Sequence, residues 1–314
     1  MNQNPVILFM GTPDYAVPSL EGLVNKGYTV GAVVTQPDRP RGRKRRPVPP
    51  PVKTAALTLG LEVLQPEKAS DGAFLTRVQQ MNPDVIVVVA FGQILKRAFL
   101  HIPRWGALNI HASLLPKYRG AAPIQWAIIN DEKKTGLTTM RMDEGLDTGP
   151  ILLQEVCSVG PEETAGELHH RLSILSGELL LKTLEQLKAG LLTETVQAHD
   201  RATYAPKIDR HLSAINWENS ARKLSALIRG LDPWPGAVTE IQGKGVKLFS
   251  PWIMDETRTG LKPGRVVGHS EHGLMVETGK GVIGIREVQA PGKRRLPAGD
   301  FLRGFPIAEG TVFG

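Results

Sequence analysis

The chain has 314 residues, 41% of them hydrophobic, with one cysteine and a formal net charge of +7. That length accommodates two domains of ordinary size, while a single cysteine excludes an intramolecular disulfide or a cysteine-based zinc site, and no apolar run is long enough to span a bilayer. Charge is uneven: residues 201–314 carry 17 lysines and arginines against 11 acids, whereas residues 1–200 carry 21 against 20.

The opening "MNQNPVILFMGTPD" lacks a basic leader and a small-residue cleavage site, so a cytoplasmic protein without membrane association is expected. Short apolar runs then alternate with helical patterns, the mark of βαβ units in a doubly wound, mostly parallel sheet. The strands read as "VILFMG", "YTVGAVVTQ", "LEVLQ", "DVIVVVA" and "ALNIHAS", followed by "GLTTMRM" and "GPILLQEVCSV". "DVIVVVA" is apolar without alternation, which places it in the middle of the sheet, covered on both faces. The first turn, "MGTPDYAVPSL", lacks two of the three glycines of a dinucleotide-binding turn and argues against a dehydrogenase. "RPRGRKRRPVPPP", from residue 39, holds six cations and no acid over residues 39–46. Its prolines exclude helix and central strand and predict an exposed loop, and its uncompensated charge points to a phosphate partner.

Residues 164–190 read as a long amphipathic helix, with Thr164 and Glu167 as a capping box, Leu168, Leu172, Leu175, Leu179 and Leu187 near helical spacing, and Gly190 as a stop. His169 and His170 on it have no metal-ligand spacing around them and read as a solvated face. Periodicity then fades. The division expected is a catalytic domain over 1–190, a linker over 191–209 and a second domain over 210–314, where a short helix "NSARKLSALIRGL", a Pro/Trp corner "DPWPGA" and many short strands with glycine turns suggest a small, OB-like β-barrel.

Chemistry concentrates in "NIHASLLPKYRG", residues 109–120. In a strand, Asn109 and His111 project from one face about 6 to 7 Å apart. At the carboxyl end of a parallel strand, where open α/β sheets place ligands, they form an oxyanion donor beside an acid/base group. His111 needs an orienting partner, and "MDEGLDTGP", residues 142–150, supplies Asp147 between an apolar residue and a tight turn. By spacing alone, a capping Asp147 and a structural Asn-x-His remain open.

"NIHASLLPKYRGAAPIQWAI" with "TTMRMDEGLDTGPIL" strongly resembles the formyltransferases that use 10-formyltetrahydrofolate. "FMGTPDYAVPSL", "VVTQPDRPRGRKRRPVPPPVK" and "LIRGLDPWPGA" are similar to the branch of that family whose acceptor is initiator methionyl-tRNA. The resemblance covers nearly the whole chain. It implies a Rossmann-like catalytic domain and a tRNA-binding C-terminal barrel, with Asn109, His111 and Asp147 as the catalytic amide, imidazole and carboxylate. It further implies that Ser113, Leu114, Leu115 and Pro116 line the folate site, and that the backbone around Phe91, Gly92 and Ile94 receives the pterin. The basic loop, Arg39, Arg41, Arg43, Lys44, Arg45 and Arg46, contacts the acceptor end of the tRNA on this reading; the loop is more basic and proline-rich than the family's usual pattern. A monomer using folate as formyl donor and no metal is expected. The alternatives are a folate-dependent N-formyltransferase acting on an amino sugar nucleotide and a formyltetrahydrofolate hydrolase, against which the two basic regions argue.

Overall fold

Valine and isoleucine favour the pleated, doubly buried middle of a sheet, and Val85–Val89, all five residues buried, takes that place. The computed structural model describes residues 4–41, 46–270 and 272–314. In chain order its first strands are β1 (Val6–Gly11), β2 (Thr29–Val34), β3 (Arg39–Arg41), β4 (Arg46–Val48), β5 (Val63–Leu64), β6 (Val85–Val89), β7 (Ala107–His111), β8 (Lys134–Arg141) and β9 (Ile151–Ser158). Seven of them form one sheet in the order β5-β2-β1-β6-β7-β8-β9. The pairs β2 with β5, β1 with β2, β1 with β6 and β6 with β7 are parallel, whereas β8 runs antiparallel to β7. The sheet is therefore mixed and mostly parallel. β7 stands where the direction changes.

Helices α1 (Val17–Asn25), α2 (Pro51–Thr58), α3 (Gly72–Met81) and α4 (Arg97–Leu100) fall between the early strands. Phe74 and Val78 from α3 and Phe99 and Leu100 from α4 pack with Leu8, Met10, Ile86, Val88 and Ala107 of the sheet. After α5 (Pro123–Ile129) comes the 25-residue α6 (Ala165–Ala189). Its capping box is formed: Thr164 N donates to Glu167 Oε2 at 2.9 Å and Glu167 N to Thr164 Oγ1 at 3.2 Å. Leu168, Leu172 and Leu179 are buried as expected, but Leu180 and Leu184 continue the inner face while Leu175 and Leu187 are only half-buried. At 100° per residue Leu175 falls at the edge of the arc that the buried leucines occupy, and Leu187 lies in the last turn of the helix, which accounts for the shift.

The proline-rich basic segment differs from the loop expected. β3 and β4 pair as a two-stranded antiparallel ribbon with Pro40 opposite Pro47. Facing residues alternate between hydrogen-bonded and non-hydrogen-bonded pairs, and two prolines are tolerated where no N–H is asked for. Arg39 and Arg46 are exposed. Arg43, Lys44 and Arg45 lie outside the described residues, as does the side chain of Arg41.

Contacts group the chain into two units. One comprises Met1–Gly120, Gly136–Cys157 and His169–Tyr204, and the other Ala121–Thr135, Ser158–Leu168 and Ala205–Gly314. In the second unit α7 (Ala221–Gly230) starts at Ser220, whose side chain accepts from Lys223 N. Strands β10 (Ala237–Ile241), β11 (Lys244–Asp255), β12 (Val266–Ser270), β13 (Gly273–Glu277), β14 (Val282–Gln289) and β15 (Leu296–Pro297) precede α8 (Ala298–Gly304). They pair antiparallel in the order β10-β11-β14-β13-β12, with β15 on β14. Leu224 and Ile228 of α7 share a core with Leu248, Leu274, Ile283 and Ile285.

Candidate active site

β7 reads Ala-Leu-Asn-Ile-His, and its apolar Leu108 and Ile110 are 1% and 4% exposed. Alternation turns Ala107, Asn109 and His111 to the other face. Asn109 pairs in register with Val88 of β6 and Met140 of β8, so its backbone is held on both sides while its half-buried carboxamide has no hydrogen-bond partner among the described residues. His111 is buried. Its Nε2 lies 2.8 Å from the Tyr118 carbonyl oxygen; a carbonyl only accepts, so the network assigns a hydrogen to Nε2. Nδ1 is then the ring nitrogen not committed to a backbone carbonyl, and it stands 3.7 Å from Asp147 Oδ2.

Asp147 reaches this point by a loop that starts far from it. Because β8 is antiparallel to β7, Arg141 sits opposite Leu108 and Met142 N donates to Ala107 O at 2.8 Å. Residues 142–150 therefore leave the sheet at the amino end of β7 and climb along it; from Ala107 to His111 is about 13 Å at strand rise. At the top, Asp147 takes a left-handed backbone with φ 54°, and its Oδ2 accepts from Gly120 N at 2.8 Å. The loop returns tightly. A Cβ on Gly149 would stand 1.8 Å from the Arg141 carbonyl oxygen, so only glycine fits there.

Polar groups below the loop hold it in place. Gln197 Nε2 donates to Asp147 O at 2.8 Å and to Gly149 O at 2.7 Å. Gln197 Oε1 accepts from Arg119 Nε at 3.1 Å and Nη2 at 2.6 Å. Neither residue is singled out by sequence pattern. Arg119 reads as part of a basic tail and Gln197 as linker, yet Ile151 and Thr195 exchange backbone hydrogen bonds of 2.8 and 2.9 Å that draw this stretch along β9.

The remaining expected site residues fall in different settings. Ser113 and Leu115 are buried: Ser113 Oγ donates to Lys117 O at 2.6 Å, and Thr138 Oγ1 on β8 donates to Ser113 O at 2.7 Å while accepting from Leu115 N at 3.1 Å. Leu114 and Pro116 are half-buried. Phe91 sits in the core, with its carbonyl accepting from Thr12 Oγ1 at 2.9 Å, while Gly92 is exposed and Ile94 is 83% exposed. A cavity of about 740 Å³ draws on other residues, among them Leu100, Ala107, Met142, Arg97, Arg141 and Asp143. Of β7 only Ala107 lines it, so the cavity lies at the amino end of that strand, and Asn109, His111 and Asp147 are not part of its wall. Its lining comes from two stretches distant in sequence, residues 97–107 and 141–145, which no local pattern joins.

The family model for formyl transferase matches residues 3–184, and that for the formyl transferase C-terminal domain matches residues 207–306. Over 308 residues the chain is 50% identical to the methionyl-tRNA formyltransferase of Pelotomaculum thermopropionicum, covering 98% of each protein. The chain belongs to the methionyl-tRNA formyltransferases. Among solved structures, the fold is shared with the sugar 3N-formyl transferase WlaRD, with a TM-score of 0.67 and 20% identity over 93% of this chain and all of that one. It is also shared with HypX from Aquifex aeolicus in complex with tetrahydrofolic acid, with a TM-score of 0.66 and 18% identity over 99% of this chain and 51% of that one. Identity of 50% on one side and 20% on the other separates a formyltransferase of methionyl-tRNA from the amino sugar alternative, and the transferase assignment likewise displaces the hydrolase. No helix among the described residues is long and apolar enough to cross a membrane.

Proposed function

We propose that Asn109, His111 and Asp147 move the formyl group of 10-formyltetrahydrofolate to the α-amino group of methionine on initiator tRNA. The amine attacks the formyl carbon and negative charge gathers on the formyl oxygen. Collapse of the tetrahedral intermediate breaks the bond to folate N10, and the proton lost by the amine ends on N10. Asn109 Nδ2 is the donor for the oxyanion, with no partner among the described residues to give up. His111 is locked at Nε2 by Tyr118, so Nδ1, facing the Asp147 carboxylate, is the nitrogen that shuttles the proton.

The observation that carries this reading is a carboxamide with no partner among the described residues, on the same strand face as an imidazole whose Nδ1 lies 3.7 Å from a carboxylate. The pterin ring is received by the backbone around Phe91, Gly92 and Ile94, where Gly92 and Ile94 are exposed. Ser113 to Pro116 act here by fixing the turn after β7. The exposed cations of the β3–β4 ribbon and the basic C-terminal stretch, residues 201–314, take the tRNA backbone, since phosphate contacts position the acceptor without reading its sequence.

Single-turnover formylation tests the site. Asn109→Ala and His111→Ala should each lose at least about a hundredfold in turnover, as for other oxyanion-hole donors, while retaining tRNA binding. Turnover within a few-fold of the parent would reject these roles.

A further inference from the structure

Arg119 is 2% exposed, and among the described residues its guanidinium meets Gln197 and His199 rather than a carboxylate. A buried cation without a counter-ion is costly unless its N–H groups are satisfied. Here they are met by neutral acceptors: Gln197 Oε1 takes Nε and Nη2, and His199 Nδ1 lies 3.3 Å from Nη1. Guanidinium groups only donate, so the Gln197 carboxamide must present its oxygen to Arg119 and its nitrogen to the other side. On that other side are the carbonyls of Asp147 and Gly149. Flipping the amide would set N–H against N–H and oxygen against two carbonyl oxygens.

The next residue in the chain completes the arrangement. Arg119 N is tied to Thr203 O at 2.8 Å, and Gly120 N gives 2.8 Å to the Asp147 carboxylate itself. Backbone and side chain of Asp147 are thus held from one buried strut, and the residue so held has a left-handed φ of 54°. Aspartate visits that region at a cost and remains there only when its surroundings impose it.

We infer that Gln197, oriented by Arg119, is a positioning residue that sets the Asp147 carboxylate against His111 for the proton shuttle. This rests on the catalytic reading of Asp147. Gln197 touches no reacting atom. Its contribution is to keep the loop within the narrow tolerance that catalysis allows, where a 1 Å misplacement costs on the order of a hundredfold.

Gln197→Glu is the informative variant. A carboxylate still accepts from Arg119, so the buried cation keeps a partner and the fold is retained, but it has no hydrogen for the two loop carbonyls. Turnover should fall about 10- to 100-fold, with KM for methionyl-tRNA and for 10-formyltetrahydrofolate within about twofold of the parent. Combining Gln197→Glu with Asp147→Ala should be no slower than Asp147→Ala alone, because a residue that acts only through another adds nothing once that residue is gone. A general structural defect would multiply the two losses, and that result overturns the inference, as does parental turnover in Gln197→Glu. If Asp147→Ala itself keeps parental turnover, the catalytic reading of Asp147 fails first and takes this inference with it.

Discussion

Gly149→Ala is the sharpest geometric probe of the site. The added Cβ would lie 1.8 Å from the carbonyl oxygen of Arg141, a backbone atom at the end of β8, whereas real Cβ contacts do not fall below 3.0 Å. Relief requires the loop to lift by roughly 1.2 Å at residue 149, because Arg141 is fixed opposite Leu108 in the β7–β8 register. Asp147 is two residues away, and Gln197 couples the two through the carbonyls of both. A shift of about 1 Å at a catalytic group costs on the order of a hundredfold in rate, and overpacking typically costs about 1 to 3 kcal/mol in stability. The expected outcome is a fall in kcat of about a hundredfold in a protein that is still folded without urea, its midpoint lowered by up to about 1 M, as roughly 3 kcal/mol over a slope of about 3 kcal/mol per molar urea implies, read from quenched-flow formation of formylmethionyl-tRNA and from urea melts. Gly72→Ala serves as the control, since a Cβ there meets nothing within 4 Å. Parental kcat in Gly149→Ala would refute the argument that the loop's exact return path places the carboxylate.

The tRNA reading predicts that replacing both Arg39 and Arg46 by alanine lowers the slope of log affinity against log salt by about 1.5, near 0.7 to 0.9 for each phosphate no longer neutralised; a filter-binding titration with an unchanged slope would exclude an approach of these two arginines to the tRNA backbone. In the second unit, hydrogen bonding from Arg265 holds the Glu277 carboxyl below its ordinary range, with Arg265 Nε 2.6 Å from Glu277 Oε2. A carboxyl lowered in the folded state adds stability above its unfolded value near 4.5, and that stability is lost as pH falls through the folded value. Glu277→Gln should therefore be less stable than the parent at pH 7, with the gap narrowing below about pH 4.5. A pH-independent gap in denaturation midpoints would show that packing, not the charge, is the source.

Local pattern made much of this protein legible. Continuous β-branched residues marked β6 as the sheet's centre, Thr164 and Glu167 marked the start of α6, and the two-residue repeat placed Asn109 and His111 on one face of β7. These features depend on periods of 2 and 3.6 and on short-range hydrogen bonds, which the order of residues specifies directly. Tertiary structure decided the rest. Antiparallel entry of β8 sends the Asp147 loop up the face of β7. Burial gives the Arg119 cation a neutral partner from residue 197, and the cavity wall is assembled from α4, β7 and the 142–150 loop. Such contacts join residues tens of positions apart whose types are unremarkable on their own. What selects them is the need to satisfy buried donors and fill volume, a condition that exists only once the chain has closed on itself.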